Sequence, residues 1–216
     1  MMLVLKGKRP CELDEDSFSS LISAFARIHL DIGTGSGRYI LHHAFQNRSV
    51  FYIGLDPVAE VMAENSYKAA KRSKREDLYN TLFVIASLET FPAELIEVAH
   101  SVSVILPWGS LRDGLVRADG KILQCLRLSG GCGCSFEAIL GYDNEREAGE
   151  IERRSLPLLS EDHFRQLLPE YAAQGISITQ IESLNNIQLR HLASDWARKL
   201  SYGMPRNMFR LSGQFR

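Results

Sequence analysis

The residues most able to do chemistry stand in one short run, Asp31-Ile-Gly-Thr-Gly-Ser-Gly-Arg38, which follows a β-rich segment and precedes a helical one. Gly33, Gly35 and Gly37 allow tight turns and close approach of a ligand, and the helix that follows offers free N–H groups. Further on, Asp56 ends the next β-rich segment, where a carboxylate can accept both ribose hydroxyls of a nucleoside. A nicotinamide cofactor would use the same logic. However, its usual loop is G-x-G-x-x-G without an acidic residue at the preceding strand end. Asp31 can hold the amino group of an amino-acid moiety, which S-adenosylmethionine (SAM) carries and NAD does not. SAM is therefore the expected cofactor. After the third strand, Ala86, Ser87 and Glu89 fall where enzymes of this kind cradle adenine and its ribose.

A second group faces the same sheet edge. Val104-Ile-Leu106 runs into Pro107-Trp108-Gly109 at the carboxyl end of the fourth β-rich segment, where open α/β sheets place their substrates. Carbonyls at such a corner can fix a base edge while the ring stacks on its face, which suits methylation of a ring or exocyclic nitrogen. Alternatively, Trp108 is a core plug. Trp196, in Ala193-Ser-Asp-Trp-Ala197, would be core if alone; lining one pocket with Trp108, it could sandwich a flipped base.

The elements that must position these residues follow from periodicity. Leu3–Lys6 and Cys11–Leu13 flank Gly7 and Pro10 as a hairpin, and Phe18, Leu21, Ile22 and Phe25 have helical spacing. From Arg27 the chain alternates short β-rich runs (Ile28–Leu30, Phe51–Leu55, Leu82–Ala86, Val102–Leu106, Phe136–Leu140) with longer helical ones. That alternation predicts a doubly wound, Rossmann-like α/β sheet, mostly parallel and seven-stranded, with the hairpin in front of it. Later come a helix near Glu161–Leu168, a strand at Ile176–Ile181, a helix around Leu189–Leu200 and a strand near Met208–Ser212. The expected organisation is one domain over 1–216: the hairpin extension at 1–13, a cofactor half at 27–140 and a substrate half at 141–216.

Composition narrows the class. With 216 residues, 45% hydrophobic and 24% charged, the chain can bury an ordinary globular core. No apolar run approaches the roughly 20 residues that span a bilayer. A cytoplasmic, monomeric protein without membrane association is expected. Cys11, Cys125, Cys132 and Cys134 match no usual zinc spacing and are read as reduced thiols, with no metal site. The net charge is −1, yet cations cluster. Lys68, Lys71, Arg72 and Arg75 share one helical face; Arg198, Lys199, Arg206 and Arg210 follow Trp196; Arg153 and Arg154 form a third group. RNA phosphates are the favoured partner, and a solvated face the alternative.

These residues together resemble a known family. Asp31-Ile-Gly-Thr-Gly-Ser-Gly-Arg38, Phe51-Tyr-Ile-Gly-Leu-Asp-Pro57, Pro107-Trp-Gly109, Leu156-Pro-Leu-Leu159 and Ser194-Asp-Trp-Ala197 stand in the order seen in the aminoglycoside-resistance 16S rRNA (adenine-1408, N1) methyltransferases of the Kam and Npm type. The resemblance implies a class I SAM-dependent methyltransferase acting on an adenine in the decoding site of 16S rRNA within the 30S subunit. Trp108 and Trp196 would clamp the flipped adenine, and Ser194 would help position cofactor or base. The expected cofactor contacts are Asp31, Gly33, Thr34, Gly35, Gly37, Arg38, Asp56, Pro57, Ala86, Ser87, Glu89, Leu106 and Ser110. Lys68, Lys71, Arg72, Arg75, Arg154, Lys199 and Arg206 would meet the rRNA. Met204 and Pro205 stand where relatives often carry further basic residues, and Leu106 where Phe is frequent. Two rival readings are a small-molecule N-methyltransferase and a ribosome-binding protein that retains SAM without catalysis.

Overall fold

The computed structural model describes residues 1–76, 80–202 and 206–216, with all their side chains except those of Arg75 and Glu76. The expected roles of the Arg75 side chain, Met204 and Pro205 lie outside that description. In chain order the elements are β1 (Met2–Lys6), β2 (Arg9–Leu13), α1 (Glu15–Ile22), β3 (Arg27–Ile32), α2 (Arg38–Gln46), β4 (Val50–Asp56), α3 (Ala59–Glu76), β5 (Thr81–Ile85), β6 (Ala99–Ile105), α4 (Gly109–Arg117), α5 (Gly120–Arg127) and β7 (Gly130–Tyr142). There follow α6 (Ala148–Arg153), α7 (Glu161–Gln166), α8 (Leu168–Ala173), β8 (Ile176–Leu184), α9 (Asn186–Arg190), α10 (Asp195–Leu200) and β9 (Asn207–Phe215).

The strands form one sheet in the order β2-β1-β5-β4-β3-β6-β7-β9-β8. Its centre, β5-β4-β3-β6-β7, is parallel. Of these strands β4 is buried on both faces, which is why it reads as the unbroken run Phe51–Leu55. The flanks are antiparallel: β9 pairs with β7 and β8, and β1 pairs with β2 and, through Val4 opposite Val84, with β5.

The sheet is thus a mixed one of nine strands. The hairpin is not an appendage in front of it, because Met2 and Val4 are buried in the main core and β1 covers the open edge of β5. The stretch around Leu189–Leu200 is two helices and not one. Asn185 caps α9 with a reciprocal Gln188 contact, and Ser194 interrupts the run by capping α10. Among the described residues, no helix is long and apolar enough to cross a membrane.

The parallel order reverses at β3, with β4 on one side and β6 on the other. Loops after β3 and β6 therefore diverge, leaving a crevice at their carboxyl ends. The break between α9 and α10 brings the second tryptophan to that crevice.

Candidate active site

The crevice is a cleft of about 620 Å³. Of the expected site residues, Asp31, Gly33, Thr34, Gly35, Arg38, Asp56, Pro57, Ser87, Glu89, Leu106, Trp108, Ser110, Ser194, Trp196 and Lys199 line it. Gly37 and Ala86 are not among its lining residues. Gly37 starts α2 in a left-handed conformation, and a Cβ there would lie 2.3 Å from the Phe83 ring, so its role is close packing of the helix on β5. Ala86 N–H donates to the Asp56 carbonyl at 3.3 Å.

Asp31 is buried at the end of β3. Its carboxylate accepts from Ser103 Oγ at 2.5 Å and from Thr34 Oγ1 at 2.7 Å. Burial outweighs these donors and pushes its pKa up to about 7. A cationic amino group placed beside it would supply the opposite charge it lacks. Gly33 and Gly35, at φ 70° and 56°, turn the loop so that their N–H groups face inward: that of Gly33 bonds the Leu55 carbonyl, and that of Gly35 bonds Asp56 Oδ2 at 2.9 Å. The other Asp56 oxygen accepts from Val58 N–H at 3.0 Å, and desolvation raises its pKa as well. A buried carboxylate short of a cation, a glycine cradle and a second carboxylate at the next strand end suit the amino-acid and ribose parts of SAM. Nearby, Glu89 accepts from Ser110 Oγ at 2.7 Å, which holds its pKa low, and Ser87 caps the short turn that carries Glu89.

At the other end of the cleft, the chain turns sharply through Leu106, which has φ 53° although it precedes a proline. That backbone costs on the order of 1–3 kcal/mol. Leu106 N–H bonding Ile139 O at 2.7 Å holds it. The turn aims Trp108 outward, 52% exposed, towards Trp196, 42% exposed. Such exposure rules out a core role for either ring. Their centroids are 5.3 Å apart with planes inclined at 43°. Arg112, buried, has its guanidinium 5.5 Å from the Trp108 ring, and Lys199 Nζ lies 5.0 Å from the Trp196 ring.

Asp195 stands inside the Ser194-Asp-Trp-Ala197 motif, but no role was expected of it. Its carboxylate accepts from Ser36 Oγ at 2.7 Å and from Arg38 at 2.9 Å, tying α10 to the glycine loop. Arg38 therefore faces Asp195 as well as the cleft. Both partners are more than 150 residues distant in sequence, as their separations of 159 and 157 show, so no local pattern marks the contact.

The basic groups divide. On α3, Lys71 and Arg72 are exposed, Arg72 lying over the Phe45 ring at 4.1 Å, while Lys68 pairs with Glu64 one turn away. By contrast, Arg154 is bound by Asp113 at 2.7 Å and by Glu150, and Arg206, 16% exposed, by Glu147 at 2.9 Å. Arg210 is held by Glu137 and Glu182. Arg154 and Arg206, both expected to meet the rRNA, are thus paired with carboxylates of the chain here, and contact with phosphate would involve an exchange of partners.

A family model for NpmA, described as 16S rRNA (adenine(1408)-N(1))-methyltransferase, matches residues 3–215. The chain belongs to this family. A 16S rRNA (adenine(1408)-N(1))-methyltransferase of Escherichia coli is 36% identical over 214 residues, covering 98% of each chain. The structure of the 16S rRNA (adenine(1408)-N(1))-methyltransferase from Catenulisporales acidiphilia, a mutant with cosubstrate SAM, is 29% identical with a TM-score of 0.90, over 100% of this chain and 97% of that one. That of the 16S rRNA methyltransferase KamB is 28% identical with a TM-score of 0.87 over 99% of each chain. This member of the family is accordingly a SAM-dependent methyltransferase with the α/β methyltransferase fold. The inference of SAM over a nicotinamide cofactor, which turned on Asp31, holds.

Proposed function

We propose that this protein methylates N1 of adenine 1408 in the decoding site of 16S rRNA, taking the assembled 30S subunit as substrate, and so confers aminoglycoside resistance. The observation that carries this reading is the pair of exposed tryptophans, Trp108 and Trp196, facing each other on the cleft that holds Asp31 and Asp56. In this reading residues 1–216 act as one catalytic domain, monomeric and cytoplasmic.

Asp31 holds the amino group of SAM, Asp56 the ribose hydroxyls, and Gly33, Thr34 and Gly35 form the cradle between them. Pro57, Ser87, Glu89, Leu106 and Ser110 line the nucleoside side. When bound, SAM supplies a methyl group made electrophilic by its sulfonium charge. N1 of adenine has a lone pair and no proton at neutral pH, so no general base is required. The protein's contribution is then to hold N1 in line, through stacking by Trp108 and Trp196 with Ser194 fixing the start of α10. Arg38 acts through Asp195. Lys71 and Arg72 dock on rRNA phosphates, joined by Lys68 and Lys199; Arg154 and Arg206 join on exchanging carboxylate for phosphate.

The product carries a positive charge on a blocked pairing edge. A cationic aminoglycoside contacting that edge loses a hydrogen bond and meets repulsion. Expression in a sensitive bacterium, followed by drug susceptibility and primer extension on its rRNA, tests this. Resistance with a stop at adenine 1408 is expected; resistance without the stop would refute the site.

A further inference from the structure

Beneath the cofactor loop runs a line of polar side chains that the reaction above does not use. Ser103 Oγ, which donates to Asp31, lies 3.0 Å from His29 Nε2, and His29 Nδ1 lies 2.8 Å from Ser101 Oγ. The sheet dictates this alignment. His29 and Asp31 are two residues apart on β3 and so share a face, and in register they lie opposite Ser101 and Ser103 of β6.

His29, partly buried, is flanked by aromatic rings: Tyr39 of α2 at 6.0 Å and Tyr52 of β4 at 5.5 Å, with His43 of α2 beyond them. Burial, helped by His43, lowers its pKa to about 4, so the ring is neutral at physiological pH. The other charges near Asp31 are Asp56 of β4 and Glu137 of β7, the latter paired with Arg210 of β9. None of these donates a hydrogen bond to Asp31.

A neutral imidazole has one donor and one acceptor nitrogen. A carboxylate at Asp31 only accepts, so Ser103 must spend its one proton there. Ser103 can then only accept from His29, which must donate from Nε2. The Nδ1 atom is left to accept from Ser101. Every proton in the line is thereby directed.

We propose that His29 is a positioning residue of the cofactor site: its Nε2–H holds the Ser103 hydroxyl so that its proton points at Asp31, orienting that carboxylate towards the amino group of SAM. The proposal rests on the assignment of Asp31 as the holder of that group.

Imidazole ¹⁵N shifts in the full chain with SAM test it directly. A single tautomer protonated on Nε2 is expected; protonation on Nδ1, or a mixture, overturns the role of His29. The second test is SAM affinity measured by calorimetry across about pH 5 to 8, the range spanning the Asp31 titration. In His29→Phe, which leaves the Ser103 proton undirected but present, the midpoint of the pH dependence should move up by a fraction of the roughly one pH unit that outright loss of a donor to a carboxylate would give. His29→Gln, which keeps a donor and an acceptor, should restore it. Ser103→Ala should reproduce the shift if the Phe variant does not fold. An equal, pH-independent loss in all three variants would mean packing alone and overturn the proposal. Wild-type affinity in Asp31→Asn would instead remove its premise, whatever the tautomer.

Discussion

Trp108 and Trp196 touch: with centroids 5.3 Å apart and planes at 43°, no base fits between them. A base stacked on both faces needs planes about 7–8 Å apart, two van der Waals separations. The rings must part. Trp108 follows the strained Leu106 turn and has the buried Arg112 guanidinium against its ring, whereas Trp196 is the second residue of a six-residue helix. The opening therefore falls to Trp196.

Loss of either ring should cripple transfer and spare cofactor binding. Each stacking face contributes about 1–3 kcal/mol, so Trp108→Ala and Trp196→Ala should each lower kcat/KM for the subunit by about 5- to 150-fold. SAM affinity, measured by calorimetry, should stay within about threefold because neither ring holds the amino or ribose groups. A variant with wild-type transfer would refute the clamp.

Asp195 should matter more to rate than to stability. Its pair with Arg38 is partly exposed, 34% and 45% for the two side chains, and such pairs contribute about 0–1 kcal/mol. Asp195→Ala should move Tm by no more than a few degrees on the scale of about 2–4 °C per kcal/mol. It should nevertheless slow transfer by releasing α10 and Trp196. Arg38→Ala combined with Asp195→Ala should be no slower than the slower single variant; additive losses would show that the two act separately.

Asp31 makes both stability and affinity depend on pH, in opposite directions. Its folded pKa, about 7, is above the unfolded carboxylate value near 3.8. The folded state therefore binds the extra proton between them, and the free protein loses that stabilisation as pH rises through about 7. A bound ammonium favours the carboxylate, so SAM affinity should rise from about pH 5 to 7, by at most tenfold per unit. Thermal melts and calorimetry in buffers of different ionisation heat would detect both, including proton release on binding. Asp31→Asn should flatten the two profiles and bind SAM weakly.

How much of this was legible beforehand depended on whether partners are local. The alternation of strands and helices, the loop from Asp31 to Arg38 and the placement of Asp56 come from short-range patterns, and the parallel centre of the sheet followed from them. The pairing of β1 with β5 did not, since the hairpin pattern says nothing about the edge it will cover. Nor did Ser194 reveal that it breaks a helix, as apolar spacing continues through it. Asp195 and the pairs of Arg154 with Asp113 and of Arg206 with Glu147 rest on distant contacts, whereas Glu150 stands four residues before Arg154 and that pair lies within reach of local spacing.

Lys71 and Arg72 of α3 are exposed and are proposed to dock on rRNA phosphates. Charge reversal at Lys71 and Arg72 should weaken subunit binding and reduce its salt dependence by about 0.7–0.9 in log–log slope for each phosphate that is no longer neutralised. Filter binding at several salt concentrations would measure this. An unchanged slope would reduce the patch to a solvated surface.

The most direct test is methyl transfer from labelled SAM to purified small subunits, with free 16S rRNA and subunit-free buffer beside it, followed by reverse transcription of the product. Incorporation into intact subunits alone, with a stop at adenine 1408, is the predicted result. SAM binding without incorporation into subunits, or methylation at another position, would contradict the account.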